Sequence, residues 1–125
     1  MTATDRAVEL VTTAARAASD KLATDLLAFD VSDQLAITDA FLLASGSNDR
    51  QVKAIVDEVE DKLREIGAKP IRREGERDGR WVLIDYGEIV VHVQREEERE
   101  FYALERLWRD CPSIPLPADV THPRG

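Results

Sequence analysis

One strand-and-helix segment near the middle of the chain constrains the fold most. Residues 41–44 (FLLA) form an uninterrupted apolar run, as expected for a strand that is covered on both faces. Asn48, with Gln51 three residues later, has the spacing of a helix capping box. Apolar residues then recur at helical spacing until Gly67: Val52, Ile55, Val56, Val59, Leu63 and Ile66. A buried strand that leads into an amphipathic helix predicts a sheet with a helix packed on it.

The remaining elements follow from the same periodicity. Residues 5–21 are predicted as a helix, and residues 95–110 as another, with Phe101, Leu104 and Trp108 on one stripe. Strands are predicted at residues 25–31, 38–45, 68–73, 80–85 and 88–94. This order predicts an α/β (α+β) fold, with a single mixed β-sheet of about five strands and flanking helices.

The length of 125 residues suits one compact domain, which we place at residues 1–111. Residues 112–125 contain four of the five prolines and are predicted to form a mobile, extended tail. We expect this tail to contribute neither to the core nor to binding.

Composition and charge exclude several functions for this protein. The net charge of −8 opposes binding to a phosphate backbone and favours a protein partner. Cys111 is the single cysteine, so the chain can form neither an internal disulfide nor a cysteine-based zinc site. Because no apolar run is long enough to span a bilayer and no signal segment is evident, we expect a cytoplasmic protein without membrane contact.

The residues needed for nucleotidyl transfer are only half present. Gly46-Ser47 could serve as the glycine-serine loop, but the strand acids Asp30 and Asp85 each lack a second acid two residues away. His92 and His122 are the only histidines. We therefore predict no catalytic, metal or cofactor site and no enzyme activity. The alternative is a nucleotidyltransferase-like enzyme with an atypical metal site.

The hairpin formed by residues 80–94 supplies a candidate binding face. With its turn at Tyr86-Gly87, strand alternation divides the side chains between two faces. One face is purely aliphatic and belongs to the core: Val82, Ile84, Ile89, Val91 and Val93. The other face is mixed: Trp81, Leu83, Asp85, Glu88, Val90 and His92. Either a helix covers this mixed face or it is an exposed patch that anchors a partner.

The final helix is expected to place Phe101, Leu104 and Trp108 against the sheet. Tyr102 and Glu105 on the neighbouring stripe, with Arg99 close by, would then face a partner. Asp85, Glu88 and Glu105 together would form an acidic patch suited to a basic protein.

Three segments resemble the Iojap-related, or ribosomal silencing factor (RsfS), family. They are residues 39–59 (DAFLLASGSNDRQVKAIVDEV), 79–93 (GRWVLIDYGEIVVHV) and 99–108 (REFYALERLW), and they occur in the family's order. The resemblance extends over about residues 5–110 and is to the bacterial type of member.

The resemblance implies a fold similar to a nucleotidyltransferase domain without its catalytic carboxylates. It also implies binding to ribosomal protein uL14 on the large (50S) subunit, a block of small-subunit joining, and repression of translation during starvation. A homodimer when free is implied as well, without cofactor or direct nucleic-acid recognition. The uL14-binding residues would be Trp81, Leu83, Asp85, Glu88, Val90, His92, Arg99, Tyr102 and Glu105.

Overall fold

The structure, a computed structural model, describes residues 2–121 and consists of a mixed five-stranded sheet with helices on both faces. The helices are α1 (Asp5–Asp20), α2 (Asp49–Glu65), α3 (Glu96–Tyr102), α4 (Leu104–Leu107) and α5 (Ala118–Thr121). The strands are β1 (Thr24–Asp30), β2 (Ala40–Gly46), β3 (Arg72–Glu74), β4 (Trp81–Asp85) and β5 (Ile89–Arg95). The spatial order is β1-β2-β5-β4-β3, in which only β2 and β5 run parallel. The predicted fold class is confirmed.

Helices α1 and α2 cover the aliphatic face of the sheet. Leu42, Ile84 and Val91 are fully buried there, in one cluster with Leu63 of α2. Five alanines of α1 are also buried, so this helix lies close to the sheet and forms part of the core rather than a loose cover. Leu22, which follows α1, is 77% exposed.

Gln51 joins the beginning of α2 to the end of α1. Asn48 caps α2 by accepting a hydrogen bond from the Gln51 amide at 2.9 Å. The Gln51 side chain accepts hydrogen bonds from Ser47 and donates to the carbonyls of Lys21 and Leu22. The predicted cap is therefore present, and its glutamine also fixes the packing of the two long helices.

The β4–β5 hairpin has a different turn from the predicted one. Asp85 pairs with Val90 and Tyr86 donates its amide to Ile89, so Gly87 and Glu88 form the two-residue turn. Gly87 has φ +84°, which suits the first central position of such a turn. Because the register moves by two residues, the strand side chains keep their predicted faces, while Glu88 leaves the mixed face for the turn.

The helix predicted at residues 95–110 is not continuous in the structure. It is divided into α3 and α4 at Ala103, which has a left-handed φ of +45°. Leu104 and Trp108 pack on the sheet as predicted, in a small second core around Leu43. Phe101, which is predicted in that core, is instead 81% exposed, and Arg99 points inward in its place.

In the structure, residues 112–121 pack against the sheet, unlike the mobile tail predicted from the sequence. The Asp30 amide donates to the Pro112 carbonyl at 2.8 Å, and the Ile114 amide donates to Ala28 at 2.9 Å. These bonds extend the sheet along the outer edge of β1, which lacked a neighbour. Ile114 and Val120 are buried, 9% and 3% exposed. Residues 122–125, including His122 and Pro123 of the predicted tail, lie outside the described residues.

Candidate protein-binding face

A row of aromatic side chains lies on the surface where Trp81 of β4 meets α3. The rings of Trp81 and Tyr102 are 4.7 Å apart, and those of Tyr102 and Phe101 are 5.0 Å apart in an edge-on arrangement. Phe101 and Tyr102 are 81% and 51% exposed. We call Trp81, Leu83, Phe101 and Tyr102 the aromatic face. Adjacent exposed aromatic side chains on a rigid support are typical of protein-binding surfaces.

The buried ring of His92 and the half-buried rings of Phe41 and Trp108 support the aromatic face from below. Trp81 donates its indole Nε1 hydrogen to Nδ1 of His92 at 3.2 Å. His92 packs edge-on against Phe41, and Phe41 packs edge-on against Trp108, with 5.2 Å between ring centres in each pair. A continuous series of ring contacts therefore connects the second core to the exposed surface, which limits the movement of Trp81.

His92 is neutral in this environment. Burial, together with the positive charge of Arg99, lowers the pKa of His92 to about 4. A neutral imidazole carries one proton, and acceptance of the Trp81 hydrogen bond by Nδ1 assigns that proton to Nε2. His92 is thus available as an acceptor at neutral pH and is not positioned to contact a partner.

Arg99 fastens α3 to the sheet. Its side chain is 5% exposed, and its Nη1 donates to Ser45 Oγ of β2 at 2.8 Å. Its Nε donates to Glu105 Oε1 of α4 at 3.3 Å. One guanidinium group therefore links β2, α3 and α4, and so sets how α3 presents Phe101 and Tyr102.

The three acids expected in one patch are not brought together. Asp85 and Glu88 lie at the turn of the hairpin, where Asp85 also accepts from the Gly87 amide at 2.8 Å. Glu105 pairs with Arg99 beside Ser45, in line with the opposite end of β4. Four residues of strand separate the two ends, about 13 Å. The acids therefore flank the aromatic face at two ends.

The nine predicted contact residues divide by exposure. Trp81, Leu83, Asp85, Glu88, Tyr102 and Glu105 reach the surface at least in part, whereas Val90, His92 and Arg99 are buried. The buried three can act only by positioning the others. Sequence reasoning missed Phe101 as a surface residue, because its spacing matches the core stripe of an unbroken helix.

The strand acids considered for metal binding are far apart. Asp30 and Asp85 lie on β1 and β4, which β2 and β5 separate. Three strand spacings are about 14 Å, whereas the two ions of a metal pair are about 4 Å apart. Asp30 accepts hydrogen bonds from Ala3 and Ser32, so it holds the amino-terminal segment and a loop.

Among residues 2–121, no group of three or more histidine, cysteine, aspartate or glutamate side chains is arranged to hold a metal ion. In the same part of the chain, no helix is long and apolar enough to cross a membrane.

The family model for "Ribosomal silencing factor during starvation" matches residues 4–124 of the sequence. The chain therefore belongs to the ribosomal silencing factor family, which confirms the resemblance found in the three segments. The match includes residues 112–124 of the carboxyl-terminal segment.

Individual relatives agree with this assignment. The ribosomal silencing factor RsfS of Bacillus subtilis is 44% identical over 103 residues, covering 82% of this chain and 87% of its own. The crystal structure of protein CV0518 from Chromobacterium violaceum is 35% identical with a TM-score of 0.78, covering 88% of this chain and 92% of its own. A mouse relative named mitochondrial assembly of ribosomal large subunit protein 1 is 29% identical over 89 residues, covering 69% of this chain and 39% of its own.

Proposed function

We propose that this protein binds ribosomal protein uL14 on the large (50S) ribosomal subunit, with the aromatic face as the contact surface. The observation that carries the proposal is a row of three aromatic rings in a chain of this family: the partly exposed Trp81 and the exposed Tyr102 and Phe101. Such side chains bury large areas at little cost in entropy, so they are suited to anchor an interface. The mouse relative's name refers to the large subunit, and the proposal extends that association to this chain.

The bound protein would act as a steric block in the cytoplasm. By occupying a surface that the small subunit needs, it would prevent subunit joining and repress translation, above all during starvation. No nucleotide is needed for this mechanism. Inhibition would require about one molecule per large subunit and would be relieved by excess small subunits or by purified uL14.

The charge of the flanking acids suits a basic partner. Asp85 and Glu88 lie at one end of the aromatic face and Glu105 at the other, in a chain of net charge −8. These charges would accelerate the encounter with a basic ribosomal protein, and salt would weaken this effect. The aromatic face, which salt affects little, would supply most of the affinity.

Self-association is a further part of the proposal. A free chain exposes Phe101 and Tyr102 to water, and burying them against a second copy would cover this surface until a ribosome is bound. Sedimentation equilibrium of the wild type and of Phe101→Ala tests this arrangement. A dimer that persists unchanged in the variant would use another surface.

The test of the proposed function is a titration of subunit joining, followed by light scattering at a fixed concentration of large subunits. Trp81→Ala and Tyr102→Ala should each weaken large-subunit binding by about 30-fold, the loss expected at a hot spot. Val8→Ala is the control, because it truncates an apolar side chain that is 36% exposed on α1, the helix that covers the opposite face of the sheet.

Folding of each variant is checked by circular dichroism. Wild-type affinity in both aromatic variants would refute the assigned face. Inhibition far below one molecule per subunit, increasing with preincubation time, would indicate an enzyme that modifies the subunit.

A further inference from the structure

The buried contact of Trp81 with His92 distinguishes this tryptophan from the other members of the aromatic face. Tyr102 and Phe101 lie on α3, whereas the indole of Trp81 donates a hydrogen bond to His92 within the sheet. His92 is 6% exposed and lies on β5, where it pairs in register with Leu83 of β4, the strand that carries Trp81. The acceptor is therefore fixed in position before any partner arrives.

We infer that His92 is a positioning residue for binding: its Nδ1 fixes the rotamer in which Trp81 presents its ring beside Tyr102. The inference rests on the proposed function, because it assigns a role within that same face. An indole with two rotatable side-chain bonds loses less entropy on binding when its orientation is already set. His92 therefore favours binding by fixing the orientation of Trp81 in the free protein, before the partner is bound.

The imidazole ring is held from both sides, which allows it to act in this way. Phe41 packs edge-on against it at 5.2 Å, and Leu43 and Leu83 flank it in register on the neighbouring strands. Arg99, the charged group that lowers its pKa, lies on the same side of the sheet. Protonation would convert Nδ1 from acceptor to donor and abolish the bond to Trp81.

Two measurements on the wild-type chain test the hydrogen bond directly. Long-range ¹H–¹⁵N spectra should show the His92 tautomer with its proton on Nε2 at neutral pH. The Trp81 indole hydrogen should exchange with solvent more slowly than that of an exposed indole, with assignment by Trp81→Phe. A proton on Nδ1, or an indole hydrogen that exchanges freely, would overturn the inference without any variant of His92.

Paired substitutions then test the role in binding. His92→Phe keeps a ring against Phe41 but removes the acceptor, and His92→Asn keeps an acceptor near the Nδ1 position but removes the ring. We expect His92→Phe to weaken large-subunit binding about tenfold and to speed exchange of the Trp81 indole hydrogen. His92→Asn should retain more of both properties, even though it packs less well.

A double-mutant cycle separates positioning from a general structural effect. In a Trp81→Phe background the hydrogen bond is already absent, so His92→Phe should cost little further affinity. Additive losses in the cycle would overturn the inference while leaving the proposed face intact. If Trp81→Ala and Tyr102→Ala both bind like the wild type, the proposed face fails, whatever the state of His92.

Discussion

Arg99 of α3 and Ser45 of β2 are 54 residues apart in the sequence and are joined by a buried hydrogen bond of 2.8 Å. This bond determines which side of α3 faces outward. Because the long cationic side chain occupies the space beneath the helix, Phe101 is left in solvent and becomes available for binding. The exposed aromatic row is thus a consequence of a polar contact in the core.

Arg99→Met should destabilise the protein by about 2 kcal/mol, because it leaves the Ser45 hydroxyl buried without its partner and Glu105 without its cation. Arg99→Lys should restore little, since an ammonium group cannot make both hydrogen bonds in the same geometry. Urea denaturation measures the loss. Arg106→Ala, at an exposed arginine of α4, is the control and should change stability by less than about 0.5 kcal/mol.

The two long helices end in the same hydrogen-bonded motif but with different residues at its left-handed position. After α2, Gly67 has φ +87°, and after α1, Leu22 has φ +64°. In both cases the next residue, Ala68 or Ala23, donates its amide back to the last turn, at Leu63 or Ala18. Only glycine adopts this conformation without strain.

Substitutions at these two positions should therefore have opposite signs. Leu22→Gly should stabilise the protein by about 0.5 kcal/mol, the relief of strain less the added freedom of the unfolded chain. Gly67→Ala should destabilise it by about 1 kcal/mol through strain alone, because an added Cβ would meet only Arg6 Nη2 at 3.9 Å. Thermal unfolding of both variants checks the pair, and a shared sign would contradict the argument.

The elements that could be predicted are those whose signals are local. The apolar period of α2, its Asn48 cap and the alternation in β4 and β5 each depend on residues close in sequence, and each is present. The break at Ala103 has no such signal, because alanine favours a continuous helix. It results from the contact of Arg99 with Ser45, which only the folded sheet brings together.

The same reasoning explains why the packing of the carboxyl-terminal segment could not be predicted from the sequence. Its prolines do exclude a long helix, and it forms only the short α5. However, a chain that cannot form its own ladder can still bond to the free edge of an existing strand, as Ile114 does with Ala28. β1 has a free edge because of its place in the strand order, and the residues of the carboxyl-terminal segment do not by themselves reveal that order.

Gln94 of β5 is a buried polar residue on the same face of the sheet as His92. It is fully buried beside Ser45 and Trp81, and neither atom of its amide has a hydrogen-bond partner among the described residues. Gln94→Met preserves the shape without the polar atoms and should stabilise the protein by about 1 kcal/mol. Chemical denaturation provides the measurement. A clear loss of stability would mean that the amide is hydrogen-bonded in solution.

The stability of the fold should depend on pH through His92. Its pKa is lowered to about 4 in the folded state by burial and by the charge of Arg99, whereas the unfolded chain keeps a value near 6.5. The unfolded state therefore binds the proton first, and stability falls as pH decreases from about 6.5 to about 4. The total loss in the free energy of unfolding is on the order of 3 kcal/mol. Above pH 6.5, His92 makes no pH-dependent contribution to stability.

His92→Phe removes this titration, so the difference in unfolding free energy between the variant and the wild type should shift in favour of the variant as pH decreases. Urea denaturation at several pH values between 7 and 4 follows this difference, and carboxylates that titrate in both proteins cancel. If this difference stays constant across the range, folding does not lower the pKa of His92.

Deletion of the carboxyl-terminal segment tests whether it is part of the domain. A chain that ends at Cys111 loses the hydrogen bonds that cover the edge of β1, together with the buried side chains of Ile114 and Val120. Each side chain contributes about 2 kcal/mol when buried, so the truncated chain should unfold at a markedly lower temperature. The double variant Ile114→Ala/Val120→Ala retains the backbone bonds and should lie between the truncated and full-length chains.

The truncated chain should still bind large subunits at a temperature where it remains folded, because the aromatic face is built by β4, β5 and α3. The free edge of β1 should also make it prone to self-association at high concentration, since unpaired strand edges recruit one another. Calorimetry, subunit binding and light scattering of the three chains measure these effects separately. Unchanged stability on truncation would contradict the packing of residues 112–121 and restore the view of this segment as a mobile tail.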